Sequence, residues 1–478
     1  MPIAEYESHD AVGLAELVRN GDVTPSELLD EAISRTADRN PTLNAIVIDM
    51  EKQAREAVEA GLPDGPLRGV PFLLKDLHLH YAGVRTTNGC RLFRDQVSDH
   101  HSELVSRYER AGLVTFGRSA SPEFGLTATT ESKLFGETRN PWNLAHSSGG
   151  SSGGASSAVA AGILPAANAS DGGGSIRIPA ACCGLFGLKP TRGRTPFGPD
   201  AGEGWSGMSS IHAVTRSVRD SAALLDATHG PEVGSPYVAP PPARPYLEEV
   251  GIAPGRLRIA VQRDPWNGSA IHPDCLAAVD GAAKLFEGLG HDVEDAPLEI
   301  DFPVLGPATG VIMSANLRAT VDDRLELFGR GLEDDDLELV TRNIYDNGAN
   351  ATAADYARAV RAIHAAGRQV ARHLDTFDVI LSPAMATPPV ELGAISLSNP
   401  DRAQYFRDII ATVGFTQLFN ASGHPAASLP FDWNADGLPI ALQIAGRFGD
   451  EATLFRLSAQ LEQERPWFDR RPEIADPV

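Results

Sequence analysis

Two serine residues stand in a glycine-rich run between Gly149 and Thr191, in a setting that suits acyl-transfer chemistry. Ser151 lies in the first glycine cluster, and Ser175 directly follows the three glycines of the second. The N–H groups of those glycines have no flanking side chains and could converge on a small anion, as an oxyanion hole requires. A flexible Gly/Ser linker is the alternative, but apolar blocks at residues 158–161, 163–167 and 185–188 interrupt the run, and a linker has no need of them.

A lysine at the end of an apolar segment offers the kind of base that a serine hydroxyl needs. Lys75 follows Phe72, Leu73 and Leu74, which we predict to form a buried strand. Burial favours the neutral amine, and a neutral lysine can accept a proton. The lysines of the chain are few, at positions 52, 75, 133, 189 and 284. The structural alternative is an ion pair between Lys75 and the adjacent Asp76 at the strand end.

Three further patterns imitate reactive or binding sites. Gly149–Gly153 fits the G-x-S-x-G nucleophile elbow, but residues 140–148 before it are polar and turn-forming rather than a buried strand. Gly202–Gly207 fits the G-x-G-x-x-G string of dinucleotide sites, but we predict no strand before it and no helix opening from it. His424 precedes a proline in a loop, and we interpret it as a structural residue.

The composition limits the classes of partner. A formal net charge of −22 over 478 residues argues against a nucleic-acid partner, which requires a basic face. The four cysteines show no zinc-ligand spacing, and no apolar run approaches the roughly 20 residues that a membrane helix needs. The N-terminal residues lack the features of a signal peptide. We therefore expect a cytoplasmic protein that binds neither nucleic acid nor membrane.

Alternating helix and strand patterns predict the α/β fold that must position these residues. Thr24–Glu27 forms a capping box with Pro25 at the first helical position. A helix from Asp99 to Arg110 and a strand over residues 113–117 form a helix–strand unit. Strands are also predicted over 257–262 and 379–382, and helices over 277–289, 353–376 and 450–464. No Pro/Gly/Ser-rich hinge separates two similar halves, so we predict one large core with insertions.

Several segments together resemble the signature of the amidase signature family. Residues 149–154 match its GGSSGG element, and residues 69–76 match its G-x-P-x-x-x-K-D element. Residues 171–179 (DGGGSIRIP) and 183–191 (CGLFGLKPT) match its two later elements. Ala169 and Ser170 stand where the family has Gly-Thr, and Gly172 stands for a Thr or Ile. These departures concern the shape of the glycine loop more than the catalytic atoms.

The resemblance implies a mixed central β-sheet sandwiched between helices, and an amidohydrolase that cleaves a C–N amide bond through an acyl-enzyme. Ser175 would be the nucleophile, Ser151 after a cis peptide bond would relay the proton, and neutral Lys75 would be the general base. The resemblance also implies an oxyanion hole and three orienting residues, without any metal or cofactor. The oxyanion hole would consist of the N–H groups of Gly172, Gly173, Gly174 and Ser175, and the orienting residues would be Ser152, Asp171 and Arg177.

On this resemblance, residues 1–478 form a single domain. It comprises a helical lead-in (1–60), the signature core (67–230), a variable region that shapes the substrate pocket (231–375), and C-terminal core strands with a helix (376–478). Asn316, on a predicted helix of the variable region, is a candidate for the pocket lining, a solvated helix position being the alternative. The sequence around Ser175 looks similar to members that act on anilides, nylon-type oligoamides and carbamates, so the expected partner is a small-molecule amide. The oligomeric state is left open, with a homodimer as one option.

Three other functions fit parts of the pattern. The amidotransferase subunit that acts on charged tRNA shares the Lys-Ser-Ser core, but it needs RNA and protein partners, against which the acidic charge argues. An α/β-hydrolase esterase would use Ser151 as nucleophile, and a serine-reactive fluorophosphonate would then label Ser151 instead of Ser175. A non-catalytic binding module on the same fold would label at no serine.

Overall fold

The computed structural model describes residues 5–474. The helices are α1 (Ala11–Asn20), α2 (Pro25–Leu43), α3 (Glu51–Ala60), α4 (Glu103–Arg110), α5 (Gly153–Ala160), α6 (Arg177–Cys183), α7 (Val218–Thr228), α8 (Tyr246–Glu249), α9 (Pro273–Gly288), α10 (Phe302–Phe328), α11 (Leu339–Gly348), α12 (Ala353–Thr376), α13 (Arg402–Thr412), α14 (Gln417–Ser422) and α15 (Glu451–Glu464). The strands are β1 (Ile46–Asp49), β2 (Pro71–Lys75), β3 (Val114–Ser119), β4 (Glu131–Ser132), β5 (Gly136–Glu137), β6 (Arg139–Asn140), β7 (Asn143–Ser147), β8 (Ala166–Asp171), β9 (Phe186–Lys189), β10 (Ser210–Thr215), β11 (Arg258–Val261), β12 (Asp292–Asp295), β13 (Val379–Pro383), β14 (Ala426–Trp433) and β15 (Pro439–Gly446).

A large mixed sheet forms the centre of the molecule. Its strands lie in the order β12-β11-β13-β15-β14-β9-β10-β8. Strands β12, β11 and β13 are parallel to one another, and the remaining pairs are antiparallel. A smaller sheet has the order β1-β3-β2, and β4-β5 and β6-β7 form two short ribbons. The predicted mixed central sheet of an α/β fold is therefore confirmed.

Helices cover both faces of the large sheet, because successive residues of its strands point to opposite sides. Val379 and Leu381 of β13 belong to a buried cluster that includes residues of α7, α9 and α15. Ile380, between them, packs instead with residues of α10, α12 and α14 on the other face. The sheet is thus buried between two helical layers, as predicted.

Local signals determined several helix boundaries. Thr24 accepts a hydrogen bond from the N–H of Glu27 in the expected capping box, and α12 spans the predicted residues. The predicted start of α4 at Asp99 is wrong, because the helix begins at Glu103. The backbone of Ser102 is still extended, since its N–H donates to the carbonyl of His80. This tie to a neighbouring loop delays the helix by one turn.

Three elements of the first half of the chain converge at one end of β8. Strand β2 ends at Lys75, and the N–H of Lys75 donates to Oδ1 of Asn168 in β8 at 3.1 Å. The glycine loop follows β8 directly and leads into α6. Ser151 lies two residues before α5. Lys75 and the two serines are thereby brought to one region of the molecule.

Candidate active site

Lys75 and Ser151 form a buried hydrogen-bonded pair. The Nζ atom of Lys75 lies 2.7 Å from Oγ of Ser151 and 3.1 Å from Oγ of Ser170. Every residue of β2 is buried, and Lys75 itself is 0% exposed. The alternative pairing with Asp76 is not what the structure shows, because the Asp76 carboxylate accepts hydrogen bonds from the N–H and hydroxyl of Thr87.

Burial makes the Lys75 ammonium a stronger acid than that of an exposed lysine, so the neutral amine is available at lower pH. Loss of hydration disfavours the ammonium form and lowers the pKa of Lys75 to about 7, although the negative charge of Asp171 opposes the change. A pKa near neutrality is the value at which a general base is most effective at physiological pH. The arrangement gives the site a neutral amine that can take a proton from Ser151.

The backbone around Ser151 leaves no room for larger residues. The Gly150–Ser151 peptide bond is cis, as the resemblance implied. A Cβ atom on Gly150 would lie 2.5 Å from the N and O atoms of Thr129. A Cβ atom on Gly125 would lie 2.9 Å from Oγ of Ser151. Glycine at position 150 therefore lets the chain pass close to the backbone of Thr129, and glycine at position 125 leaves space for the Ser151 hydroxyl.

Ser175 and part of the glycine loop face a large cavity. Ser151, Ser175, Gly172 and Gly173 all contribute to its lining. The N–H of Gly174 instead donates to Oδ1 of Asp171 at 2.7 Å, and Gly174 is buried behind the loop. The prediction that all four N–H groups are available to an oxyanion is therefore wrong for Gly174. The N–H groups of Gly172, Gly173 and Ser175 form no hydrogen bond with the described residues.

Asp171 organises this loop from below. Its carboxylate accepts hydrogen bonds from the N–H groups of Gly174 and Ile176 and forms a fully buried ion pair with Arg177, with Nε 2.9 Å from Oδ2. Burial alone would raise the pKa of Asp171, but the Arg177 guanidinium holds it well below its usual range. Ser152 adds a further link, since its N–H donates to the carbonyl of Ser175 at 3.3 Å. The three predicted orienting residues thus all contact the loop.

Three residues near the C-terminus complete the support, and sequence reasoning assigned them no role. Asn420 donates to Oδ1 of Asp171 at 2.8 Å and accepts from Nη2 of Arg177 at 2.6 Å. Gln443 accepts from Nη1 of Arg177 at 2.7 Å, and the Thr416 hydroxyl donates to the carbonyl of Gly173 at 2.6 Å. Asn420 and Gln443 lie in segments that resemble the C-terminal core strands of the family, which was the only available signal.

The cavity above the serines is large and mostly apolar. Its volume is about 840 Å³, and its wall draws on residues from the β8–α6 loop and from helices α10 to α14. Aromatic rings form much of this wall: Phe124, Phe197, Trp205, Trp266, Phe302, Tyr405 and Phe406. A pocket of this size and character suits a small organic substrate.

Asn316 does not belong to the cavity lining, so the structure does not support the prediction that it contacts substrate. Its side-chain amide donates to the carbonyl of Ile312 at 2.8 Å and to Oη of Tyr356 at 3.2 Å. These bonds connect α10 to α12. Met313, on another side of the same helix, lines the cavity instead.

None of the three imitating patterns forms the kind of site that its motif suggests, as predicted. Strand β7 precedes Gly149, but it pairs with β6 in a short, largely half-exposed ribbon and is not a strand of the central sheet. The 202–207 segment is a turn followed by β10, with no helix opening from it. His424 is buried, and burial lowers its pKa to about 4. It does not line the cavity.

The described part of the chain contains no group of three His, Cys, Asp or Glu side chains that could hold a metal ion. None of the helices between residues 5 and 474 has both the length and the apolarity needed to cross a membrane.

Comparison with known proteins identifies the family of the chain. A family model described as Amidase matches residues 27–455. The 6-aminohexanoate-cyclic-dimer hydrolase of Paenarthrobacter ureafaciens is 37% identical, over 98% of this chain and 97% of that protein. An acylamidase of Rhodococcus erythropolis is 34% identical, over 97% of this chain and 96% of that protein. A solved structure of 6-aminohexanoate cyclic dimer hydrolase complexed with substrate superposes with a TM-score of 0.92 at 36% identity, covering 98% of this chain and 99% of that one.

These relatives are hydrolases, and they align over nearly the whole chain. They do not support the amidotransferase subunit, the α/β-hydrolase esterase or the binding module as alternatives. The match of fold, family model and sequence over this length shows that the chain belongs to the amidase signature family and hydrolyses amide bonds.

Proposed function

We propose that this chain hydrolyses uncharged small-molecule amides through an acyl-enzyme on Ser175, with Ser151 and Lys75 as the proton-transfer pair. The observation that carries the proposal is the buried hydrogen bond of 2.7 Å between Lys75 and Ser151, beside a cavity that both Ser151 and Ser175 line. A serine hydroxyl needs an activating base, and Ser-Lys pairs serve this purpose on several folds.

In the acylation step, Ser175 Oγ forms a bond with the amide carbonyl carbon. Its proton passes to Oγ of Ser151, and the proton of Ser151 passes to the neutral amine of Lys75. The N–H groups of Gly172, Gly173 and Ser175 are the donors available to the resulting oxyanion, and each such donor is typically worth about 3–4 kcal/mol. Collapse of the tetrahedral intermediate breaks the C–N bond. The Lys75 ammonium then returns its proton through Ser151 to the leaving amine.

In the second step, water replaces the amine. Neutral Lys75 takes a proton from the water through Ser151, and the hydroxide equivalent adds to the ester carbon. Breaking of the ester bond releases the acid, and the Lys75 ammonium returns its proton through Ser151 to restore the Ser175 hydroxyl. Lys75 acts in both halves of the cycle, which requires that its pKa lie close to the working pH.

The charge of the cavity supports an uncharged substrate. No lysine or arginine is among its lining residues, so a substrate carboxylate would find no counterion there. Asp171 is paired with Arg177, and the Asp355 carboxylate accepts hydrogen bonds from Thr352 and Arg358. Nylon-type oligoamides and anilides are the substrates that we propose.

The cysteines support a cytoplasmic site of action. All four are buried and free of disulfide bonds. This state is normal for proteins of a reducing compartment.

Hydrolysis of a panel of neutral amides by the parent protein and by Ser175→Ala tests the proposal. The panel contains 4-nitroacetanilide, the 6-aminohexanoate cyclic dimer, a linear aminohexanoate dimer blocked at both ends so that it carries no charge, and a dianiline carbamate. We expect at least one to be hydrolysed by the parent, and Ser175→Ala to lose activity by about four or more orders of magnitude. Activity that persists in Ser175→Ala would refute the nucleophile assignment. Mapping of a fluorophosphonate adduct to Ser175, and not to Ser151, provides the independent control.

A further inference from the structure

The 202–207 segment has a defined shape that the reaction scheme does not use. Trp205 and Ser206 both adopt left-handed backbone angles, with φ of 55° and 56°. Two successive non-glycine residues in this region are unusual and persist only where the surroundings hold them. Two neighbouring residues provide the restraint: the Ser206 hydroxyl bonds to Oη of Tyr356 at 2.7 Å, and Nε of Arg192 donates to the carbonyl of Gly207 at 2.6 Å.

This turn places the Trp205 indole on the loop that precedes Ser175. A Cβ atom on Gly172 would lie 2.8 Å from Cζ3 and 2.9 Å from Cε3 of Trp205. Gly172 has no left-handed φ that would by itself require glycine. The indole therefore occupies the space that a side chain at position 172 would need. The motif of the amidase signature family has Thr or Ile at this position.

The same indole is part of the cavity wall. Trp205 is half-buried and lines the cavity together with Gly172, Gly173 and Ser175. Its inner side packs against two buried clusters, one of which contains Met208 and Phe419. A flat ring fixed beside the reactive serine offers a stacking surface, and stacked aromatic pairs gain energy beyond their buried area.

We propose that Trp205 is a specificity-determining residue, whose indole selects amides that carry a flat group next to the scissile bond. The proposal rests on the proposed function of Ser175 and adds a substrate class to it: neutral amides with an aromatic or otherwise planar substituent. Glycine at position 172 is what allows the Trp205 indole to lie against the loop. A larger residue at 172 would displace the ring from the loop.

The first test compares pairs of amides of similar size, in which a flat ring is replaced by a puckered one. Intrinsic reactivity also differs within each pair, so the change of the kcat/KM ratio between the parent and the variants is the result that decides. Acetanilide is compared with N-cyclohexylacetamide, and benzamide with cyclohexanecarboxamide, so that both sides of the amide bond are sampled. The parent should prefer the flat member of at least one pair. In Trp205→Ala and Trp205→Leu the ratio of kcat/KM within that pair should fall about tenfold, whereas Trp205→Phe should retain most of it. Trp433→Ala, a Trp→Ala change outside the cavity, is the control and should leave the ratio unchanged.

Two results would overturn this inference. One is an equal loss of kcat/KM for the flat and non-flat members in Trp205→Leu, and the other is a parent without preference in either pair. The rate of Ser175 labelling by a small fluorophosphonate is measured in the same variants. Unchanged labelling with an altered ratio supports the inference. Activity that survives in Ser175→Ala would instead refute the proposed function, so the two failures are distinguishable.

A double-mutant cycle tests the contact between the ring and the loop. Gly172→Ala in the parent should lower kcat about tenfold or more, because the new Cβ meets the indole and shifts the oxyanion donors. In the Trp205→Ala background the same substitution should cost much less. An equal cost in both backgrounds would show that the indole does not restrict position 172.

Discussion

Lys75 carries the titration that should govern turnover. Its pKa is lowered to about 7 by burial, so the neutral amine predominates above that value and the ammonium below it. We expect kcat/KM for a neutral amide to be constant at higher pH and to fall as the pH decreases through about 7. A pH profile of the parent measures this midpoint. A profile that stays flat from well below to well above neutrality would contradict the role of Lys75 as base.

Ser170 provides a matched variant for that profile. Its hydroxyl accepts a hydrogen bond from Nζ of Lys75 at 3.1 Å, and such a bond favours the ammonium form. Ser170→Ala should therefore lower the pKa of Lys75 further and move the midpoint to lower pH, by less than about one unit. A midpoint that moves upward would mean that Ser170 does not stabilise the ammonium. Ser156→Ala, a buried serine in α5 whose hydroxyl forms no hydrogen bond, serves as control.

At the scale of elements, the start of α14 is tied to the glycine loop by one hydroxyl. The Thr416 Oγ1–H donates to the carbonyl of Gly173 at 2.6 Å. Thr416→Val keeps the shape of the side chain but removes this bond. We expect kcat to fall about tenfold with KM little changed, and the free energy of unfolding to fall by about 1 kcal/mol.

The control for that variant lies in the preceding helix. Thr412→Val also removes a buried hydroxyl, but the Thr412 hydroxyl donates to the carbonyl of Asp408 within α13. It should cost stability without lowering kcat to the same extent. Steady-state kinetics and denaturant unfolding measure kcat and the free energy of unfolding of both variants. Equal values of kcat in the two variants would contradict the positioning role of Thr416.

The residues that were predictable from the sequence lie within short contiguous patterns. Lys75 ends an apolar run, and Ser151 and Ser175 lie in glycine clusters whose spacing is distinctive. The capping box at Thr24 was predictable for the same reason, since all its members lie within one helical turn. Each of these patterns is defined by residues that are adjacent in the sequence. No knowledge of the tertiary fold is needed to interpret them.

The supporting residues were not predictable, because their partners are distant in the chain. Asn420 contacts Asp171 across 249 residues, and its own segment, although it resembles a segment of the family, does not indicate that partner. Trp205 was concealed within a string that imitates a dinucleotide site. Asn316 was expected in the pocket, but the rotation of α10 directs it to Tyr356. Each of these outcomes depends on how elements pack, which local patterns do not encode.

The molecule as a whole carries a net charge of −22, and this should influence which substrates approach it. A negatively charged amide is repelled at low ionic strength, where the screening length reaches about 30 Å at 0.01 M salt. We expect kcat/KM for 4-acetamidobenzoate to rise with added salt, and that for neutral 4-nitroacetanilide to change by less than about twofold. Parallel salt dependences for the two compounds would contradict an electrostatic barrier at the scale of the whole protein.

The hydrogen bond from the Lys75 N–H to Asn168 joins the three-stranded sheet to the edge of the eight-stranded one. The proposed base therefore ends a strand of the smaller sheet, and the proposed nucleophile lies in the loop that follows the edge strand β8 of the larger one. Local opening of the smaller sheet would move the Lys75 amine away from the site, while Ser175 kept its position beside the larger sheet. On heating, activity would then be lost at a lower temperature than that of global unfolding. The upper temperature limit of turnover would reflect the stability of the contact between the two sheets instead of the stability of the core.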